Sequence, residues 1–345
     1  MTPSTPQFEA VLRRAAAANR TAQPVTPSSV VMETDNATLY RYATEDTAGG
    51  PPLLIVYSLV NRPAILDLSL DRSVIRRLLA GGLDVHLLAW RPPGQARRYL
   101  GLSDYVLGDL ADASAWLDRR HGVPPHVLGV CQGGVLALCQ AALADAGAGG
   151  FGPRPRSLTT LAAPVDTGSP GDQLAQLARS VDFEALTRAT GNVAGQALAG
   201  IFASLKPFAL GPRRYRALAG LAEADDAAVD AFMRMESWMY DGPDLAGRAF
   251  AEFARGIYQD NALVRGTLAL DGHPVDLARV TCPVFSAHAL DDHLVPPSAA
   301  AGLGRHVGGP CEELALPGGH LGLFVSARAH QRLYPTLINW LRTIP

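Results

Sequence analysis

After residue 50, hydrophobic and polar positions alternate between two patterns. Residues 52–59 (P-L-L-I-V-Y-S-L) are almost continuously apolar, as in a strand buried on both faces. In residues 71–80, Val74, Ile75, Leu78 and Leu79 recur at helical spacing, and Gly81 and Gly82 stop the helix. Residues 83–90 read as a second buried strand. Residues 103–120 read as an amphipathic helix with Ser103 as its N-cap. A strand at 126–130, a helix at 134–145 and a strand at 157–163 follow. Strand and helix in close alternation imply right-handed crossovers and a mostly parallel sheet.

The pattern changes near residue 165. From there to about 266, helical periodicity dominates and strand signal nearly vanishes. Strand signal returns at 280–290 and 312–316, and a helix at 328–342 ends the chain. The reading is an α/β fold with its core at 36–164 and 267–345, a helical cap or lid inserted at 165–266, and a mobile or helical lead-in at 1–35. Gly191, Gly195, Gly200 and Gly211 interrupt the cap and are candidate hinges.

Composition narrows the function classes. Hydrophobic residues make up 48% of the 345, enough for a large core. No apolar run approaches the roughly 18–20 residues that cross a bilayer, so no membrane span is expected. Residues 1–35 have no apolar signal core, so a cytoplasmic chain with reduced thiols is expected. The net charge of −2 gives no electrostatic case for binding nucleic acid. Cys131, Cys139, Cys282 and Cys311 match no zinc spacing, and neither a metal nor a cofactor is expected.

The chemistry concentrates in three loops. Residues 129–134 read G-V-C-Q-G-G between a strand and a helix. That is the setting of a G-x-S-x-G nucleophile elbow with cysteine for serine. A helix N-terminus there favours negative charge on the nucleophile. The Gln132 N–H would face the oxyanion, with a second donor from Val60 or Asn61 after the first strand. The α/β-hydrolase order of nucleophile, acid and histidine is completed by residues 287–297 (A-H-A-L-D-D-H-L-V-P-P) and 317–322 (P-G-G-H-L-G). His320 is the candidate base. Asp291 and Asp292 compete for the acid, and position alone does not separate them.

These segments together resemble the polyhydroxyalkanoate synthases, most closely the short class III catalytic subunit. The similarity runs from about residue 51 to the C-terminus. It includes residues 56–67 (V-Y-S-L-V-N-R-P-A-I-L-D), the cysteine elbow, residues 200–208 (G-I-F-A-S-L-K-P-F) and residues 234–244 (R-M-E-S-W-M-Y-D-G-P-D). It continues through residues 281–284, 292–297 and 317–322. The resemblance implies Cys131 as nucleophile, Asp292 as acid and His320 as base. It implies (R)-3-hydroxyacyl-CoA as substrate, most typically 3-hydroxybutyryl-CoA, with release of CoA. It also implies work at a growing polyester granule, a second (PhaE-like) synthase subunit, and a homodimer or hetero-oligomer. This chain departs from the family at Ala89, before Trp90, and at residues 91–94 (R-P-P-G), which lack the usual aspartate.

Two other readings of the same residues are a thioesterase or polyester depolymerase, and a non-catalytic granule-associated paralogue. The cysteine argues against the first, because hydrolases of this fold mostly use serine. The intact set of nucleophile, acid and histidine argues against the second.

Overall fold

The computed structural model describes residues 13–14, 25–42, 50–144, 151–205 and 226–345. Eight strands form one sheet: β1 (Ser28–Glu33), β2 (Ala37–Tyr42), β3 (Pro52–Val56), β4 (Asp84–Trp90), β5 (His126–Val130), β6 (Ser157–Leu161), β9 (Val284–Ala289) and β10 (Cys311–Leu316). Their order is β1-β2-β4-β3-β5-β6-β9-β10. Only β1 and β2 run antiparallel to their neighbours; β4, β3, β5, β6, β9 and β10 are parallel. Strands β7 (Ala269–Leu270) and β8 (His273–Pro274) form a separate two-stranded ribbon.

Every residue of β3, β5 and β6 is buried, and β3 (P-L-L-I-V) accordingly reads as an apolar run without alternation, while β6 (S-L-T-T-L) buries polar side chains, with Thr160 Oγ1 donating to Ser286 Oγ at 3.1 Å. Each fully buried Leu, Ile or Val here contributes about 1.5–3 kcal/mol relative to exposure. Helices α1 (Val74–Ala80) and α9 (Tyr334–Thr343) cover one face of the sheet. Helices α2 (Ala111–His121) and α3 (Gln132–Leu143) cover the other. All twelve residues of α3 are buried, because the sheet and the Asp104–Leu110 and Leu277–Arg279 helical turns pack around it.

The helical segment between β6 and β7 holds α4 (Gln173–Ala178), α5 (Phe183–Thr190), α6 (Gly195–Ser204), α7 (Asp226–Tyr240) and α8 (Gly247–Phe253). Its last part is not peripheral. Ala249, Phe253 and Ile257 share a core cluster with Leu136, Leu138 and Leu54. The Arg248 and Ala249 amides donate to the Arg98 and Leu100 carbonyls.

Three local expectations need correcting. The sheet starts at Ser28, inside the stretch expected to lead in to the core. Residues 28–33 (S-S-V-V-M-E) are short and half-exposed as an edge strand, so their pattern is weak. Residues 1–12 and 15–24 lie outside the described residues. Ser103 is not an N-cap, since its backbone is already helical and its side chain makes no capping bond. The amides there are satisfied instead by Asp104, which accepts from Gly101, and by Glu252, which accepts from Leu102. Gly195 is a close-packing glycine rather than a free hinge, because a Cβ there would lie 2.0 Å from the Gly242 carbonyl oxygen. Gly211 lies outside the described residues.

Candidate active site

The turn from β5 into α3 carries Cys131 with φ 53° and ψ −120°, a left-handed backbone that a non-glycine residue adopts only under constraint. The constraint is visible. The Cys131 N–H donates to the Leu161 carbonyl at 2.8 Å, and its own carbonyl accepts from Gly134 at 2.9 Å. Glycines make the close approach possible. A Cβ on Gly133 would lie 2.1 Å from the Val56 oxygen, and one on Gly129 would lie 2.4 Å from the Gly134 Cα. Gly133→Ala is therefore expected to cost about 1–3 kcal/mol or more, because backbone rather than a side chain must give way. Urea unfolding of the purified variant checks this; an unchanged midpoint would contradict it.

The loops after β9 and β10 meet at this turn. His320 Nδ1 lies 2.7 Å from Asp292 Oδ2, with both side chains buried. Asp292 Oδ1 accepts the amides of Leu294 and Val295 at 2.9 and 3.0 Å, so both carboxylate oxygens are occupied and the side chain is fixed. Asp291 is exposed and points elsewhere, accepting the Gly318 amide at 3.1 Å. The choice between the two aspartates, open at the level of spacing, corresponds here to a buried carboxylate on the histidine and an exposed one on a loop amide.

The electrostatics follow from burial and pairing. Burial alone would lower the His320 pKa. The Asp292 charge and hydrogen bond, with a bond and charge from Cys131, outweigh it and push the value up to about 10. Burial would raise Asp292, but the His320 charge and bond and the two amides hold it below the usual carboxylate range. Burial pushes Cys139 up to about 12 and Cys282 and Cys311 each to about 11.

Cys131 and His320 open onto a cavity of about 290 Å³ whose lining is mostly apolar. Phe202, Trp238, Met239, Tyr240 and Leu174 reach it from the helical segment, and Tyr57 from the end of β3. Gln132, Val60 and Asn61 line it too. The Val60 amide donates to Ser58 Oγ at 3.3 Å, and Ser58 Oγ donates to Gln132 Oε1 at 3.0 Å. One of the two backbone donors expected for an oxyanion is thus engaged within the protein. Asn61 at φ 62° is the adjacent strained position.

Two lining residues were given no role by the sequence. Ser58, within the resembling stretch 56–67, ties the β3 loop to α3. Tyr258 sits on a π-helical stretch, Ala254–Gln259, within an ordinary helical pattern. Burial first, then the charges of Cys131, Asp172 and Asp292, push its phenol well above the usual range. The altered loop at Ala89–Gly94 is tied to the site indirectly. Trp90 Nε1 donates to the Tyr57 carbonyl at 2.8 Å, and Asn192 Nδ2 donates to the Pro93 carbonyl at 3.1 Å.

Residues 51–327 match a family model described as alpha/beta hydrolase fold. The chain is 40% identical over 324 residues to the "Poly(3-hydroxyalkanoate) polymerase subunit PhaC" of Allochromatium vinosum, covering 92% of this chain and 88% of that one. A protein of the same name from Thiocystis violacea is 39% identical over 321 residues, with the same coverage. This chain belongs to the poly(3-hydroxyalkanoate) polymerase subunit family. Members of that family are acyltransferase-type enzymes on an α/β-hydrolase fold. Among solved structures, a thermophilic esterase from Thermogutta terrifontis shares the fold at TM-score 0.54 and 16% identity, covering 92% of this chain and 98% of its own. A Paleococcus ferrophilus monoacylglycerol lipase does so at TM-score 0.52 and 14% identity, covering 91% and 100%. Among the described residues, no helix is long and apolar enough to cross a membrane.

Proposed function

We propose that the chain is the catalytic subunit of a poly(3-hydroxyalkanoate) synthase, polymerising (R)-3-hydroxyacyl-CoA, with 3-hydroxybutyryl-CoA the preferred class, and releasing CoA. The observation that carries this is a cysteine on a strained elbow beside a buried His320–Asp292 pair, opening with His320 onto a mostly apolar cavity.

In the first step Cys131 Sγ attacks the thioester carbonyl, a new S–acyl bond forms, and the bond to the CoA sulfur breaks. His320, which holds the proton taken from the thiol, delivers it to the departing CoA thiolate. The acyl group remains a thioester, so its activation survives the transfer. In the second step the 3-hydroxyl of another unit attacks that thioester. An oxoester forms, the acyl–Sγ bond to Cys131 breaks, and the hydroxyl proton returns through His320 to the Cys131 thiolate. Asp292 orients His320 or helps deprotonate the incoming hydroxyl. The oxyanion is held by the Gln132 N–H and a donor from the Val60–Asn61 turn. No cofactor takes part, since acyl-CoA is the substrate. The mostly apolar lining limits competing hydrolysis of the acyl-enzyme.

The name "subunit" borne by the relatives supports a second partner, which the resemblance makes PhaE-like; we place the complex in the cytoplasm at the polyester surface on the same resemblance. The deciding assay measures CoA release from 3-hydroxybutyryl-CoA, with and without that partner, together with insoluble product. Polymer with stoichiometric CoA supports the reading. CoA with free 3-hydroxybutyrate would make the protein a thioesterase, and no turnover in either arm would make it a non-catalytic paralogue.

Access to the cavity is assigned to the helical segment. Helices α4 to α7 are the moving part, while α8 stays with the core it packs against. Hydrogen exchange should show α4–α7 amides exchanging faster than β3 and β5, and faster still with partner or a primed acyl chain. Equal protection of α4–α7 and the sheet under all conditions would make the segment a rigid insertion.

A further inference from the structure

At the end of the sheet away from Cys131, the start of β4 meets the last residue of α2. Asp84 and His86 lie two apart on β4 and so project to the same face. His121 ends α2 beside them. A carboxylate oxygen of Asp84 and one ring nitrogen of each histidine all lie within 4.8 Å of one another. The Asp84 and His86 side chains are 1% and 0% exposed, and that of His121 is 15% exposed. His121 Nε2 is 3.6 Å from Asp84 Oδ2. The proposed reaction uses none of these groups.

The placement of lone pairs separates this cluster from an ordinary ion pair. His86 Nδ1 lies 3.1 Å from the Asp84 backbone carbonyl, which puts the ring proton on Nδ1 and leaves a lone pair on Nε2. His86 Nε2 and His121 Nε2 are both buried without a hydrogen-bond partner among the described residues. Native interiors seldom leave such atoms bare, because their desolvation is uncompensated. A backbone carbonyl fixing one ring nitrogen while the other stays open is the arrangement around metal-binding histidines.

We propose that Asp84, His86 and His121 form a site for a divalent transition-metal ion, best matched by zinc with a water as fourth ligand. The ion would pin the C-terminal end of α2 to β4. Its competitor is Arg41, whose Nε and Nη2 donate to the two Asp84 oxygens at 2.8 and 3.0 Å. Arg120 adds a second positive charge acting on His121. Each carboxylate oxygen keeps another lone pair, so Arg41 does not exhaust Asp84, but its charge opposes the metal.

The test titrates the full chain with Zn²⁺ by calorimetry and with Co²⁺ by visible absorption. Co²⁺ also separates this nitrogen and oxygen set from a cysteine site, which would show a thiolate-to-cobalt band. The expected result is one equivalent bound without that band. Affinity should fall about tenfold or more in His121→Gln and rise in Arg41→Gln. Equal affinity in wild type and His121→Gln, or no gain in Arg41→Gln, overturns the proposal. If His121→Gln does not fold, the direction of the Arg41→Gln change decides.

Discussion

Cys131→Ala abolishes CoA release, and in the wild type iodoacetamide modifies Cys131 before Cys139, Cys282 or Cys311. The first outcome follows from the chemistry proposed, because alanine offers no atom to carry the acyl group and no other nucleophile occupies the elbow. The second follows from position. Cys139 and Cys282 are buried, and burial pushes all three other thiols up to about 11 or 12. Cys131 is half-buried, opens on the cavity and sits beside His320. Mass-spectrometric mapping at short labelling times gives the order of modification. Turnover surviving in the alanine variant, or earlier labelling of another cysteine, contradicts the account.

Asp292→Asn lowers turnover by orders of magnitude, on a scale of about 10⁴ where an aspartate fixes a catalytic histidine. Asp291→Asn is mild. Asp292 holds His320 at 2.7 Å with both of its oxygens engaged, whereas Asp291 is exposed and caps a loop amide. Removing the carboxylate charge also lets the His320 pKa fall from about 10, so the alkaline limb of the pH–rate profile moves to lower pH. The same pair marks stability. His320 is raised on folding, so its contribution is full below about pH 6.5 and is lost as pH rises through about 10. Asp292 is lowered, so its contribution is present above about pH 4 and lost as pH falls through its folded value. The stability gap between wild type and Asp292→Asn is therefore widest between about pH 4 and 6.5. Denaturant unfolding at several pH values measures it; the reverse ranking of the two variants would move the acid to Asp291.

What could be read from the chain was what depends on local pattern. β3 is buried on both faces, so its apolar run announces it. The elbow was legible because glycine spacing, strand and helix all express one steric requirement, the approach of Gly133 to Val56. The choice between Asp291 and Asp292 was not legible from spacing, since adjacent residues differ only in burial and partner; it came from the resemblance alone. Ser58 and Tyr258 escaped because their roles depend on which loop they face across space. The Asp84–His86–His121 cluster was invisible for the same reason, as the strand and helix that carry it are joined only by the fold. β1 was missed because an exposed edge strand buries too little to impose a pattern.

The central claim is that the growing acyl chain is held on Cys131 as a thioester. Acid-quenching the full chain during turnover of 3-hydroxybutyryl-CoA, followed by peptide mapping, tests this directly. The account predicts a hydroxyacyl adduct on the peptide containing Cys131 that hydroxylamine removes. CoA release with no adduct on that peptide, or with the adduct on another residue, would contradict it.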